Sequence, residues 1–223
     1  MSASYPMKWN MSSKQTADRA ATVWRTAITG GIGSGKSYVC RRLEAAGFPV
    51  FYCDAEAKRI IRTDTAVKRA LRALVGDVVY DSGGQLVKAI LAAYICANRA
   101  QAARVDAIVH PRVADAFAAW ASAQTATRVF MECALLFESG FDRLVDDVAV
   151  VVVPETLRLQ RVMARDRVSA EKARAWMELQ LPEAEKIARA DYCLRNDSEP
   201  HLAEDLARLL AAQSPDSLHT LRG

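Results

Sequence analysis

Short apolar runs and longer amphipathic stretches alternate along most of this chain. Residues 22–29, carried by Val23, Trp24, Ala27 and Ile28, read as a strand. So do 49–53, 128–132, 148–153 and the short 192–194. The run at 148–153 is apolar throughout, the pattern of a central parallel strand buried on both faces, and Pro154 ends it. Between these runs the period becomes helical. Tyr38, Val39, Leu43 and Ala46 share a face up to Gly47, a natural stop. Residues 55–62 follow, then Val67, Leu71, Leu74 and Val75, then the stripe Leu86, Ile90, Leu91, Tyr94 and Ile95. A further helix covers 100–110, with Pro111 expected to kink or restart it before Val113, Phe117 and Trp120. Residues 155–189 are helical, and Leu202, Leu206, Leu209 and Leu210 close the pattern.

Strands alternating with helices predict an α/β fold in three layers around a five-stranded, mostly parallel sheet. The core is expected from 22–54, 126–154 and 190–212. The connection between the second and third strands, 55–125, far exceeds the dozen residues a parallel crossover needs, so it is expected to be a helical subdomain able to hold a second substrate. Residues 1–21 lack periodicity and are expected to be a disordered extension, with 213–223 a flexible tail.

With 51% hydrophobic and 25% charged residues, the 223-residue chain can bury a sizeable core. A net charge of +4 suits anionic ligands and is too weak to imply nucleic acid. Five scattered cysteines without a C-x-x-C pair read as reduced thiols of a cytoplasmic protein, and no apolar run is long enough for a membrane span. No nucleic-acid or membrane partner is expected, and the protein should be a monomer or a weak homo-oligomer.

The chemistry concentrates at Gly30-Gly31-Ile32-Gly33-Ser34-Gly35-Lys36-Ser37, which fits G-x-x-x-x-G-K-[ST] between a strand and a helix. Its glycines let the backbone aim successive N–H groups at phosphate oxygens, and the helix that follows presents its positive end to the same anion. Gly31, Ile32, Gly33, Ser34, Gly35, Lys36 and Ser37 are therefore the expected ATP cradle. Lys36 would reach the β- and γ-phosphates, and the Ser37 hydroxyl would ligate Mg²⁺. The fold expected is that of a P-loop NTPase.

Asp54 ends the second strand, where ligands of open α/β sheets bind, and it also precedes a helix as an N-cap would. Glu132 ends the third, either as the acid behind a Mg²⁺-bound water or as an ordinary strand terminus. The arginine-rich segment 155–189 reads either as a solvated face or as a lid, with Arg161 and Arg165 one turn apart.

A regulatory GTPase would need N-K-x-D, which is absent, and a motor ATPase would need a strand ending in adjacent acids. A small-metabolite kinase remains. A nucleoside or nucleoside-monophosphate kinase fits this scaffold, and so does a regulatory nucleotide binder.

Five stretches resemble one family more narrowly. They are the T-G-G-I-G-S-G-K form of the loop from Thr29, Phe51-Tyr52-Cys53-Asp54, Ile108-Val109-His110-Pro111, Leu135-Leu136-Phe137-Glu138-Ser139-Gly140, and the series Gln180, Lys186, Ala190-Asp191-Tyr192, Asn196. Together, from about Thr26 to Leu210, they resemble the dephospho-CoA kinases. The resemblance implies ATP-dependent phosphorylation of the ribose 3′-hydroxyl of dephospho-CoA, the last step of coenzyme A synthesis. It implies Asp54 as base, Lys36, Arg161 and Arg165 as charge-neutralising groups, and Asn196 at the ATP site. His110, Lys88 and Glu138, with Asp54, are implied on the acceptor side. Three departures stand out. Tyr52 replaces the first acid of the family's D-A-D, Leu86-Val87-Lys88 replaces L-N/D-R-K, and Ser198 replaces the glycine after Asn196.

Overall fold

The computed structural model describes residues 23–212; the expected extension, the expected tail and the Thr22 start of the first strand lie outside them. Two compact units form: Tyr52–Trp120 is one, and the chain before and after it is the other.

The larger unit holds the sheet. Its strands are β1 (Trp24–Thr29), β2 (Val50–Tyr52), β3 (Arg128–Glu132), β4 (Asp147–Val152) and β5 (Tyr192–Arg195), in the order β2-β3-β1-β4-β5. The registers of β1 with β3, β1 with β4, and β4 with β5 are parallel. This is the α/β architecture of a P-loop kinase. The strands on either side of β1 are buried along their whole length, which is why β3 and β4 carry apolar runs rather than an alternating pattern. Because β1 is central, the loop leaving it opens at the point where connections diverge to the two halves of the sheet, the usual ligand crevice.

The opposite end of the sheet is closed by charge. Arg128 and Asp147, the first residues of β3 and β4, form a buried pair at 3.0 Å. Arg128 also donates to the Leu209 carbonyl at 2.6 Å, and Trp24 Nε1 donates to Asp147 at 2.9 Å. Burial still pushes the Asp147 carboxyl above its ordinary range, against the pull of Arg128.

Helix α1 (Lys36–Ala45) buries Val39, Cys40 and Leu43, and Gly47 follows it at φ 88°. The arginine-rich segment is three helices rather than one: α6 (Glu155–Asp166), α7 (Ala170–Glu178) and α8 (Glu183–Arg189). Arg167, left-handed at φ 54°, ends α6, and the Ser169 side chain caps α7 through the Lys172 N–H. Helix α8 is fastened to the segment after β3. Lys186 is fully buried, with its ammonium 3.5 Å from the Ala134 carbonyl and 3.8 Å from Glu138 Oε1. The same Glu138 oxygen accepts the Leu181 N–H at 2.9 Å. Burial lowers the Lys186 pKa, while the Glu138 carboxylate works to raise it. Arg158 pairs with Glu183, and Arg189 lies over the Phe137 ring at 4.1 Å. Helix α9 (Glu199–Ala211) packs on β5.

The smaller unit contains α2 (Cys53–Thr63), α3 (Thr65–Val75), α4 (Lys88–Ala97) and most of α5 (Arg99–Ser122). Three expectations change here. Cys53 begins α2 instead of ending the strand, so Asp54 is a first-turn residue of a helix; Tyr52 holds the N-cap position and Asp54 does not. Leu86 lies outside α4, in a bridge with Tyr80. Helix α5 runs unbroken through Pro111. Proline removes one donor there. Val105, Val109, Val113 and Phe117 keep a buried stripe on both sides of it, so packing outweighs that loss.

Two consequences are measurable by thermal and denaturant unfolding. Glu138→Ala leaves the Lys186 ammonium buried without its carboxylate and frees the Leu181 N–H, so it should cost about 1–3 kcal/mol, with Glu138→Gln costing less. A cost below about 0.5 kcal/mol would show that Glu138 does not hold α8. In the smaller unit, Asp64 caps α3 by accepting from Ala66 N and Val67 N at 2.8 and 3.0 Å. Asp64→Ala should cost about 1 kcal/mol. The cap bonds, that of Val67 first, hold the Asp64 pKa below its ordinary value. Its contribution is therefore complete above the unfolded carboxyl's pKa and is lost as pH falls through the lower folded one.

Candidate active site

The loop between β1 and α1 is built on backbone shape. Gly35 occupies the N-cap position of α1 with φ 91° and ψ 26°, a left-handed conformation that glycine adopts at no steric cost. Gly33, at φ 80°, comes so close to α6 that a β-carbon would lie 2.7 Å from the Arg158 carbonyl. Ser34 is fully buried within the turn, and its N–H closes on the Gly31 carbonyl at 3.1 Å.

The side chains around this loop come from distant segments. Lys36 turns back over it, its ammonium donating to the Gly30 and Gly31 carbonyls at 2.9 and 3.3 Å. The Ile32 N–H donates to Gln180 Oε1 at 2.7 Å, from the turn between α7 and α8. Asn196, just beyond β5, donates from Nδ2 to the Ser34 carbonyl at 2.8 Å. Arg161 reaches the same carbonyl at 3.4 Å and the Asn196 carbonyl at 3.0 Å. The Arg158 guanidinium lies against Gly31, where a β-carbon would sit 2.9 Å from it.

The two arginines expected at the phosphates thus part company. Arg161 is at the loop, whereas Arg165 is largely exposed and forms two hydrogen bonds with its neighbour Asp166, at 3.0 and 2.7 Å. Glu138 meets Leu181 and Lys186, as described above. Ser37, one residue into α1, is exposed. At the end of β3, the buried Glu132 is close enough to α1 that its charge helps raise the Cys40 pKa, which burial raises most.

In the smaller unit, Asp54 is exposed in the first turn of α2 and Lys88 is exposed at the start of α4. His110 lies on α5, with Nε2 3.5 Å from the Asp106 carboxylate one turn earlier.

Two contacts at the loop had no reading of their own in the sequence. Arg158 looked like one more charge of a basic helix, yet it stands four residues before the buried Val162 and so shares the apolar face of α6. That spacing was a usable signal. Gln180 offered none for its contact with Ile32, because the contact spans 148 residues and depends on where the α7–α8 turn folds.

As a chemical device the loop offers clustered backbone donors at a helix N-terminus, with Lys36 and Arg161 within reach. This is an anion site suited to a polyphosphate. For a divalent cation, no cluster of three or more acidic, histidine or cysteine side chains exists among the described residues. An exposed hydroxyl beside bound phosphates fits Mg²⁺, which keeps waters and substrate oxygens as its main ligands.

Comparison with known proteins agrees with this geometry. The dephospho-CoA kinase family pattern matches residues 24–201. A dephospho-CoA kinase of Bacteroides fragilis is 40% identical over 188 residues, covering 84% of this chain and 91% of the relative. One from Salinibacter ruber is 42% identical over 173 residues, covering 76% and 87%. Among solved structures, a Thermus thermophilus protein superposes with a TM-score of 0.76 at 33% identity, covering 86% of this chain and 99% of its own. The dephospho-CoA kinase of Campylobacter jejuni, at 23% identity and a TM-score of 0.62, shares the fold. With the matched region spanning the loop, the arginine-rich helices and the helical unit alike, the chain belongs to the dephospho-CoA kinase family.

Proposed function

We propose that this protein transfers the γ-phosphoryl group of ATP to the ribose 3′-hydroxyl of dephospho-CoA, giving coenzyme A and ADP, in the cytoplasm. The observation that carries the reading is the phosphate loop at the centre of the sheet, with Lys36 already folded over its carbonyls. The loop N–H groups from Gly31 to Ser37 would bind the phosphates of ATP. Lys36 would exchange the Gly30 and Gly31 carbonyls for β- and γ-phosphate oxygens. Mg²⁺, held by the Ser37 hydroxyl and the phosphates, would supply neutralising charge there.

The alcohol acceptor is a poor nucleophile, and a carboxylate that takes its proton accelerates attack. Asp54 is the residue proposed for that role. It stands in the first turn of α2, directly after β2, and it survives where Tyr52 has replaced the family's first. The helical unit is proposed to bind dephospho-CoA, with His110 and Lys88 as its contacts. The exposure of Asp54 and Lys88 leaves both accessible to a ligand. Arg161 is proposed to neutralise charge spreading over the transferred phosphoryl. Arg165 would join it only after releasing Asp166, which makes it the weaker member of the pair. Glu138 is proposed to act on the acceptor side indirectly, through the α7–α8 turn it holds.

The test is an ADP-release assay with Mg-ATP, offering dephospho-CoA beside a panel of nucleosides and nucleoside monophosphates, with mass detection of product. One added phosphate on dephospho-CoA alone is the expected result. Turnover on a nucleoside instead would discard the substrate assignment, and tight ATP binding without turnover would favour a regulatory protein. Lys36→Ala should abolish transfer. Asp54→Asn should lower kcat by about 10²-fold or more with ATP binding retained, and a loss under about threefold would remove Asp54 from the base role.

A further inference from the structure

Asn196 lies at the nucleotide end of the sheet, where an amide side chain can either read a base or support the loop. Its surroundings decide between these. The Asn196 N–H donates to the Val152 carbonyl at 2.9 Å, continuing the register of β5 on β4. Its own carbonyl accepts from Arg161 at 3.0 Å. The residue before it, Arg195, is clamped by the buried Asp205, which accepts the Arg195 backbone N–H at 2.9 Å and guanidinium bonds at 2.8 and 2.7 Å. The backbone is thus anchored on both sides of the residue. It is 8% exposed, its Nδ2 donates to the Ser34 carbonyl at 2.8 Å, and it covers Gly35 so tightly that a β-carbon there would overlap it.

The Ser34 carbonyl and the Gly35 N–H belong to one planar trans peptide and point in opposite directions. Tying the carbonyl to Asn196 and Arg161 therefore turns the Gly35 N–H away from them. Gly35 is free to adopt either sign of φ, so this peptide has little intrinsic resistance to a flip. A flip would put a carbonyl where a donor is needed.

We infer that Asn196 is a positioning residue for the phosphate loop: it fixes the Ser34–Gly35 peptide so that the Gly35 N–H serves phosphate, and it does not read the nucleobase. The inference rests on the proposal that this loop binds the phosphates of ATP.

The two roles predict different losses. Affinities of Asn196→Ala for ADP, GDP and inorganic tripolyphosphate are measured by calorimetry at one Mg²⁺ concentration, beside the unsubstituted enzyme. A strut that acts below the phosphates should cost about 5–50-fold for all three ligands alike. Asn196→Asp, which meets the Ser34 carbonyl with an oxygen, should lose at least as much. A loss at least threefold larger for ADP than for tripolyphosphate would make Asn196 a base reader and overturn the inference, as would unchanged affinity for all three. Asn196→Ser, which keeps a donor in less volume, should fall between wild type and alanine; it carries the same comparison if the alanine variant fails to fold. Failure of the unsubstituted enzyme to bind any of the three would instead sink the ATP-site proposal, a different outcome from either of these.

Discussion

The Ser34–Gly35 peptide is the point on which the nucleotide end of this enzyme depends. A phosphate loop is useful only while its N–H groups converge, yet convergence requires glycine, which by itself resists no alternative. Rigidity must come from outside the loop. Here it comes from Asn196 and Arg161, both bonded to the Ser34 carbonyl, and from the close approach of α6 beneath Gly33. Those supports stand on the parallel sheet, since Asn196 continues β5 and α6 follows β4. The order that puts β4 next to β1 and β5 next to β4 thus also supplies the bracing of the loop.

The arginine-rich helices share this foundation. Gln180 takes the Ile32 N–H, Glu138 takes the N–H of the adjacent Leu181, and the buried Lys186 ties α8 to the segment after β3. A buried ammonium is costly unless a carboxylate and carbonyls surround it. Lys186 meets both, with the Ala134 carbonyl and the Glu138 carboxylate beside its ammonium. A phosphate that takes the Ile32 N–H must displace Gln180, so the α7–α8 turn and a bound phosphate compete for one donor of the loop.

Much of the site was legible in the residues. The loop's spacing between a strand and a helix identifies polyphosphate chemistry, because its glycines let several N–H groups point at one anion. The apolar run of β4 reveals a central strand. Other features misled: the apolar run through Cys53 extended β2 too far, and of the kink or restart that Pro111 implied, the continuous α5 with its buried stripe excludes the restart. Local propensity speaks for a few neighbouring residues, and tertiary burial outvotes it at both places.

By itself the sequence determined the class of chemistry, the parallel α/β core, the family and the residues of the phosphate loop, since these are written in short-range spacing and in motifs a few residues long. Only the tertiary structure decided which distant groups serve that loop. It separated Arg161, at the Ser34 carbonyl, from Arg165, bonded to Asp166. It turned Glu138 toward Leu181 and Lys186, sank Arg158 against Gly31, and put Asn196 under the Ser34–Gly35 peptide. Apart from that of Arg165 with its neighbour, these contacts link distant segments of the chain, and their geometry exists only once the strands have taken their order in the sheet.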